Sequence, residues 1–259
     1  MKIISKIIVA AMLLSCLCAF ASCTTPEEKG GELELGLSHD GEYYIVMGIG
    51  TFKGKEVVIP TEYDGIPVKT IDNCAFENCT GIENVTVPEG IEYIGNFAFG
   101  GCTSLKSVVL PSTVKTLNDG MFSGCTALES IALPDSITEM GQSIFAGCTS
   151  LKSVKLPAKI KAISGQTFKG CTALETVTVP EGVEKIQTFS FSGCTSLYEI
   201  IIPASVTRIE FRTFESCSAL VSIEFGGKTS DWNAIKKSPM WDLGTGDYTV
   251  YCSNGELGK

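Results

Sequence analysis

The sequence predicts an α/β solenoid: a right-handed superhelix of seven 23-residue units with short parallel strands and a cap at each end. Three observations predict it. Seven cysteines, Cys79, Cys102, Cys125, Cys148, Cys171, Cys194 and Cys217, recur at a single interval of 23 residues. Every unit has phenylalanine at its ninth place: Phe76, Phe99, Phe122, Phe145, Phe168, Phe191 and Phe214. A proline closes each of the first six units, from Pro88 to Pro203, and Gly226 takes that place in the seventh. The span 68–228 divides into these units without an insertion or deletion, and repetition at such a period fixes the architecture before any local reading.

The chain starts with Lys2 and Lys6, followed by an uncharged run from Ile7 to Ser22. That run is shorter than the ~20 residues that span a bilayer comfortably and has the length and flanks of a signal-peptide core. It ends in Ala19-Phe20-Ala21-Ser22-Cys23. Small residues before a cysteine resemble the bacterial lipobox, with Phe20 where that motif usually has leucine. The resemblance implies a lipoprotein signal peptide over 1–22 and a lipid attached at Cys23. Residues 23–31 are polar and rich in Pro and Gly, as in a tether. Removing 1–22 takes away two lysines, so the remaining chain is more acidic than the whole. Lipid, rather than a basic patch, would hold it at a membrane.

Residues 32–67 read as an N-terminal cap. Leu33-Glu34-Leu35 and Tyr43-Tyr44-Ile45-Val46 flank Asp40-Gly41, a hairpin turn signal. Val57-Val58-Ile59-Pro60 reads as a half-unit strand that begins the stack. Within each unit, Leu128-x-x-Ile131-x-Leu133 shows the alternation of a short strand. Pro134 then stops it, because proline has no N–H for a ladder. Val114-x-x-Leu117 is a second extended piece. Asp119 to Gly124 lacks alternation and is expected to form a helical turn, with Gly124 relieving strain at its end. One unit cannot bury its own apolar residues, whereas stacked units can. Seven inward columns result, and seven stacked strands at ~4.8 Å give a rod about 35 Å long. Residues 229–259 break the period and read as a C-terminal cap. It has a helical turn at Asp231 to Lys236 and a last strand at Tyr248-Thr249-Val250-Tyr251-Cys252. Trp232 and Trp241 are expected to be buried in that cap; the alternative is a sugar-stacking platform.

Cys74-Ala75-Phe76-Glu77-Asn78-Cys79 and Asn96-Phe97-Ala98-Phe99-Gly100-Gly101-Cys102, together with the strand and its proline, resemble the 23-residue leucine-rich repeats of the BspA-like bacterial surface protein family. The resemblance implies a leucine-rich repeat fold and adhesion to host matrix proteins or to other bacteria. It says little about the ligand, because the matching residues are core residues.

The 12 cysteines are two in the signal, Cys23, seven in the ladder, and Cys74 and Cys252. The ladder thiols are expected to be buried and reduced, acting as small apolar groups. Bridges between neighbouring rungs also lie within reach. No Cys-x-x-Cys cluster suggests a metal, and no cofactor is implied.

Two residues of each strand face outward. One column is Asn84, Ser107, Ser130, Ser153, Thr176, Glu199 and Ser222; the other is Thr86, Val109, Ala132, Lys155, Thr178, Ile201 and Glu224. Beside them runs Glu83, Lys106, Glu129, Lys152, Glu175, Tyr198 and Val221, whose alternating sign suggests charge ladders. Tyr198, Glu199, Ile201, Val221 and Glu224 then form an apolar and acidic patch near the C-terminal end. Tyrosine is favoured in recognition surfaces, so this patch is the candidate binding site. The rival reading is simply a better-covered edge next to the cap.

Several function classes drop out. A net charge of −9 argues against nucleic acid as a partner. A single histidine, His39 in the turn beside Asp40, removes most imidazole chemistry. No nucleophile elbow or phosphate loop is present, and Gly48-Ile49-Gly50 is too short for a dinucleotide fingerprint. The expectation is an exported, lipid-anchored, monomeric and non-catalytic recognition module at the cell envelope, binding a host or bacterial surface protein. A carbohydrate-binding lipoprotein for nutrient capture and a structural envelope spacer are the alternatives.

Overall fold

The computed structural model describes residues 31–259. The signal segment, Cys23 and residues 24–30 of the tether lie outside the described residues. The rest is a parallel β-solenoid built from two stacks of short strands. The first stack runs from Glu56–Val58 through Asn84–Thr86, Ser107–Val109, Ser130–Ala132, Ser153–Lys155, Thr176–Thr178, Glu199–Ile202 and Ser222–Phe225 to Thr249–Cys252. The second runs from Tyr44–Gly48 and Ile66–Ile71 through two-residue strands such as Thr116–Leu117 and Lys185–Ile186 to Lys236–Lys237. Through the repeat, partners are one unit apart, as in Ser130 with Ser153 and Thr176 with Glu199.

Each stack contains nine parallel strands among the described residues. The ladders therefore continue past the seven regular units at both ends. Glu56 pairs with Asn84, Ser222 with Thr249, and Arg208 with Lys236. These steps exceed the period because extra chain is looped out. At the N-terminal end the excess forms the small hairpin of Glu62–Tyr63 with Ile66 and Pro67. At the C-terminal end it forms the helix Thr229–Ala234. The helix starts two residues earlier than the sequence suggested, because the Asp231 carboxylate accepts the Lys228 N–H at 2.9 Å and so sits inside the first turn. Lys236, expected in that turn, is instead the last rung of the second stack. The Asp40-Gly41 turn joins Glu34–Leu37 to Tyr44–Gly48 as the sequence predicts, with Leu37 opposite Tyr44. Gly255–Gly258, which the sequence did not reveal, folds back antiparallel on Thr249–Cys252 and closes the first stack.

The third side of each coil was expected to be a helical turn and is a run of tight turns. Its amides alternate between two duties. Met121, Ser123 and Cys125 donate three residues back, to Asn118, Gly120 and Phe122. Gly120, Phe122 and Gly124 donate to Gln142, Ile144 and Ala146 of the next coil at 2.7–2.9 Å. A helix would turn all these N–H groups along its own axis, so the coil gives up the helix for a third inter-coil ladder. The geometry places two residues per coil at positive φ. One column is Asn78, Gly101, Gly124, Gly147, Gly170, Gly193 and Ser216, mostly glycine as that region favours. The other is Cys74, Phe97, Gly120, Ser143, Gln166, Phe189 and Arg212. Beside it a side-chain ladder caps more amides: Asn96 N–H donates to Asn73 Oδ1 at 2.8 Å, Asp119 to Asn96 Oδ1, and Gln142 to Asp119 Oδ1.

The core fills the space between the three sides. The seven ninth-place phenylalanines are fully buried and form one continuous stack, with neighbouring ring centroids 5.3–5.7 Å apart and planes within 16° of parallel. This lies within the range where aromatic pairs are favourable. The stack ends on Trp241, edge-on to Phe214 at 5.9 Å. The cysteine column has a second duty besides filling space. Cys125 Sγ donates to the Phe99 carbonyl at 3.2 Å and Cys148 Sγ to the Phe122 carbonyl at 3.1 Å, and the pattern holds through Cys217 and Phe191. Each of these carbonyls also accepts the amide of the cysteine in its own coil, as Phe122 does from Cys125 at 3.2 Å. A thiol is small and apolar yet still carries a weak donor, so it satisfies the second lone pair of a buried carbonyl. Burial holds the Cys171 and Cys217 thiols up at about 12 and raises Cys148 and Cys194 as well.

Candidate functional site

The first stack buries alternate residues and turns the others outward. Val85, Val108, Ile131, Val154, Val177, Ile200 and Ile223 point into the core. Their neighbours form a smooth outer face, small and polar in the middle at Ser107, Ser130 and Ser153. Register holds the charged column in line. The Glu83 carboxylate sits between Lys55 at 2.6 Å and Lys106 at 2.7 Å, and Glu129 meets Lys152 at 2.9 Å. Hydrogen bonds from Lys106 and Lys55 pull the Glu83 carboxyl down to about 2. The ladder is thus a triad and a pair; Lys55 joins it from the off-period first strand, where the repeat does not reveal it.

The five residues singled out in the sequence come together on two adjacent strands. Glu199 pairs with Ser222 and Ile201 with Glu224. One residue before those strands, Val221 N–H donates to the Tyr198 carbonyl at 3.0 Å. Tyr198, Ile201 and Val221 are exposed at 44%, 39% and 55%, so three large apolar side chains face solvent over two rungs. Glu199 and Glu224 are half-buried at their side, and Ser222 Oγ donates to Glu224 Oε1 at 3.0 Å. The structure adds Tyr251, 43% exposed and paired with Glu224 on the third rung. Its signal was present, since Val250 and Tyr251 repeat the in–out alternation of Ile223 and Glu224. The 27-residue step from Ser222 to Thr249 hid the correspondence. A shallow hollow of about 610 Å³ lies midway along the same stack, between Lys155, Thr178 and Glu181.

The cap uses up the tryptophan rings. Trp232 is buried and lies 5.3 Å from Phe225 and 6.1 Å from Trp241. Trp241 is partly buried and packs edge-on against Phe214 and Tyr248. Lys237 covers the Trp232 ring at 4.4 Å and donates to its carbonyl. These rings form the end of the core and present no flat platform to a sugar. His39 is exposed in the first hairpin turn. Among the described residues no cluster of three His, Cys, Asp or Glu could hold a metal ion. No described helix is long and apolar enough to cross a membrane.

The family model for the BspA type leucine rich repeat region matches in six copies, over residues 69–196 and 145–238. The crystal structure of a T. pallidum leucine-rich repeat protein is 32% identical, with a TM-score of 0.66 over 73% of this chain and 87% of that one. A leucine-rich repeat protein from Bacteroides ovatus is 24% identical, with a TM-score of 0.55 over 84% of this chain and 70% of that one. One from Eubacterium ventriosum is 22% identical, with a TM-score of 0.60 over 78% and 63%. The last two speak for the fold alone. A search of the curated proteins found no match.

Proposed function

We propose, from the premise that the chain belongs to the BspA-type leucine-rich repeat family, that it is a non-catalytic recognition module holding a protein ligand on the outer face of its first strand stack. The observation that carries the reading is the cluster of Tyr198, Ile201, Val221 and Tyr251. These large apolar side chains are exposed together on three successive rungs, whereas Val58 and Val109, also exposed on that face, stand singly with Thr86 between them. Core residues of a solenoid are set by stacking, but nothing in the stacking requires these four to be apolar. The ladders hold them rigidly, which lowers the ordering cost of binding, and tyrosine pairs are efficient contact residues. Glu199 and Glu224 beside them favour a ligand with a basic residue near its apolar anchor.

The module serves adhesion at the cell envelope, held there by lipid on Cys23. Two experiments test the two parts. Residues 31–259, displayed on arrays of host matrix and bacterial surface proteins, should give a ligand. A Tyr198→Ala/Ile201→Ser/Tyr251→Ala variant should then lose at least ~30-fold in affinity, since each hot-spot truncation costs about 2 kcal/mol. A folded variant that binds unchanged removes the patch. Replacing Cys23 by Ser in the full chain should release the protein from the membrane fraction, and continued retention would overturn the anchor.

A further inference from the structure

The second strand stack carries an exception to the charge pattern of the molecule. Its parallel register places Lys185 beside Arg208, and Arg208 beside Lys236. All three side chains are exposed. With strands ~4.8 Å apart, three cations fall within about 10 Å along the solenoid axis. Elsewhere the coils set opposite charges in register: Lys55 with Glu83, Glu83 with Lys106, Glu129 with Lys152, and Lys69 with Glu92 at 3.3 Å. Among the described residues none of Lys185, Arg208 and Lys236 takes part in an ion pair. Like charges directly opposite on neighbouring strands destabilise a sheet, so the fold carries a standing repulsion here that its register enforces.

The surrounding groups leave the stripe positive. Glu184 precedes Lys185 in the chain. The Glu210 carboxylate is turned to Thr188, accepting its N–H and its hydroxyl. Glu139 stands two rungs back, with Ala162 between. Lys161 adds a further cation at the near end. Lys237 is committed to the Trp232 carbonyl at 2.6 Å. In a chain of net charge −9, a one-residue-wide cationic line is a selective feature. Broad anionic surfaces, such as a nucleic acid duplex or an acidic bilayer, would also come within a ~8 Å screening length of Glu184 and other carboxylates of this acidic chain. A thin chain whose anionic groups recur every rung or two would touch the stripe alone. Arg208 in the middle offers a planar fork that fits a carboxylate or sulfate with two hydrogen bonds.

We propose that Lys185, Arg208 and Lys236 form a binding stripe for a linear anionic polysaccharide bearing carboxylate or sulfate groups. The stripe lies on a different strand stack from the Tyr198 patch and stands whether or not that patch binds protein.

The probe is heparin, immobilised on a column and also used free in titrations. The full chain without its signal segment should be retained at about 0.1 M salt, where screening reaches ~10 Å, and should elute as salt rises. A K185Q/R208Q/K236Q variant should pass through. Its log–log salt slope in solution should fall by about 2, as three contacts at ~0.7 each require. Its urea midpoint should equal or exceed that of the wild type, because the repulsion is gone. A charge-matched control, K53Q/K115Q/K159Q, should elute with the wild type. Failure of the wild type to bind overturns the proposal, and so does equal weakening by the control. Binding as tight or tighter to a DNA duplex or to phosphatidylserine vesicles overturns the polysaccharide assignment.

Discussion

Replacing Phe145 by alanine tests the view that the ring stack ties the coils into one cooperative body. Phe145 is fully buried, 5.7 Å from Phe122 and 5.6 Å from Phe168. The lost transfer energy and the cavity together cost about 3–5 kcal/mol. Two broken ring pairs remove about 1–3 kcal/mol more. In a solenoid each coil contacts only its neighbours, so stability is a sum of coil and interface contributions. A hole in the central coil should therefore separate the two halves. Both tryptophans sit in the C-terminal cap, so their fluorescence reports that half, whereas far-ultraviolet circular dichroism reports all strands; coincidence of the two is the test of a single cooperative transition. In urea, wild type should show coincident transitions by the two probes. Phe145→Ala should show a transition at lower urea by circular dichroism that fluorescence does not follow. Phe145→Leu keeps most of the volume and loses only the ring pairs, so it should cost about 1–3 kcal/mol. A total loss below about 1.5 kcal/mol for Phe145→Ala, with the probes still coincident, would refute the reasoning.

Three further outcomes follow from particular contacts. With burial holding Cys171 and Cys217 up at about 12, neither forms thiolate near neutrality, so iodoacetamide should leave both unmodified in the native protein and alkylate them in urea; mass spectrometry of labelled peptides reads this, and rapid native labelling would contradict the buried thiol column. The lowered Glu83 carboxyl contributes stability that is complete above its unfolded value of 4.5 and is lost as pH falls through about 2; Glu83→Gln should flatten the fall of the urea midpoint across that window, and an unchanged acid limb would show the triad to be idle. A Cβ on Gly120, at φ +60°, would lie 2.1 Å from the Phe97 ring; Gly120→Ala should destabilise by about 1–3 kcal/mol as an overpacked site does, and Phe97→Ala should relieve most of that in a double-mutant cycle, whereas additive losses would place the strain elsewhere.

The sequence made the architecture legible because the residues that set it are core residues at a fixed interval. Phe, Cys and the strand Val and Ile announce their columns by type. The fold features it hid are backbone features. Positive φ at Cys74, Phe97, Gln166 and Phe189 comes with the inter-coil hydrogen bond that each amide donates, which any side chain can accompany, so no residue type marks that column. The Asn73, Asn96, Asp119 and Gln142 ladder was present in the sequence but meaningless until the coil brought each side chain under the next amide. At the candidate site, the exact period exposed Tyr198, Ile201 and Val221, while Tyr251 and Lys55 lay beyond loops that shift the register. The basic line Lys185, Arg208 and Lys236 was hidden for the same reason, its third member being 28 residues from its second.

The ladder on the turn side points one way. Phe76 donates to Ala98, Phe99 to Met121, Phe122 to Ile144, and Phe214 finally to Trp241. Every interior coil therefore receives from behind what it passes forward, and one such coil can replace another without a bond being lost. Duplication of one 23-residue stretch in the gene would lengthen the rod by ~4.8 Å and hand each new donor a ready acceptor. A single-codon insertion would shift the ladders of its own coil unless the extra residue were looped out, as the extra chain at both ends is. Inheritance can thus lengthen or shorten the regular stack in whole coils without loss of a bond, and the final coil, which supplies acceptors but passes nothing forward, must stay last.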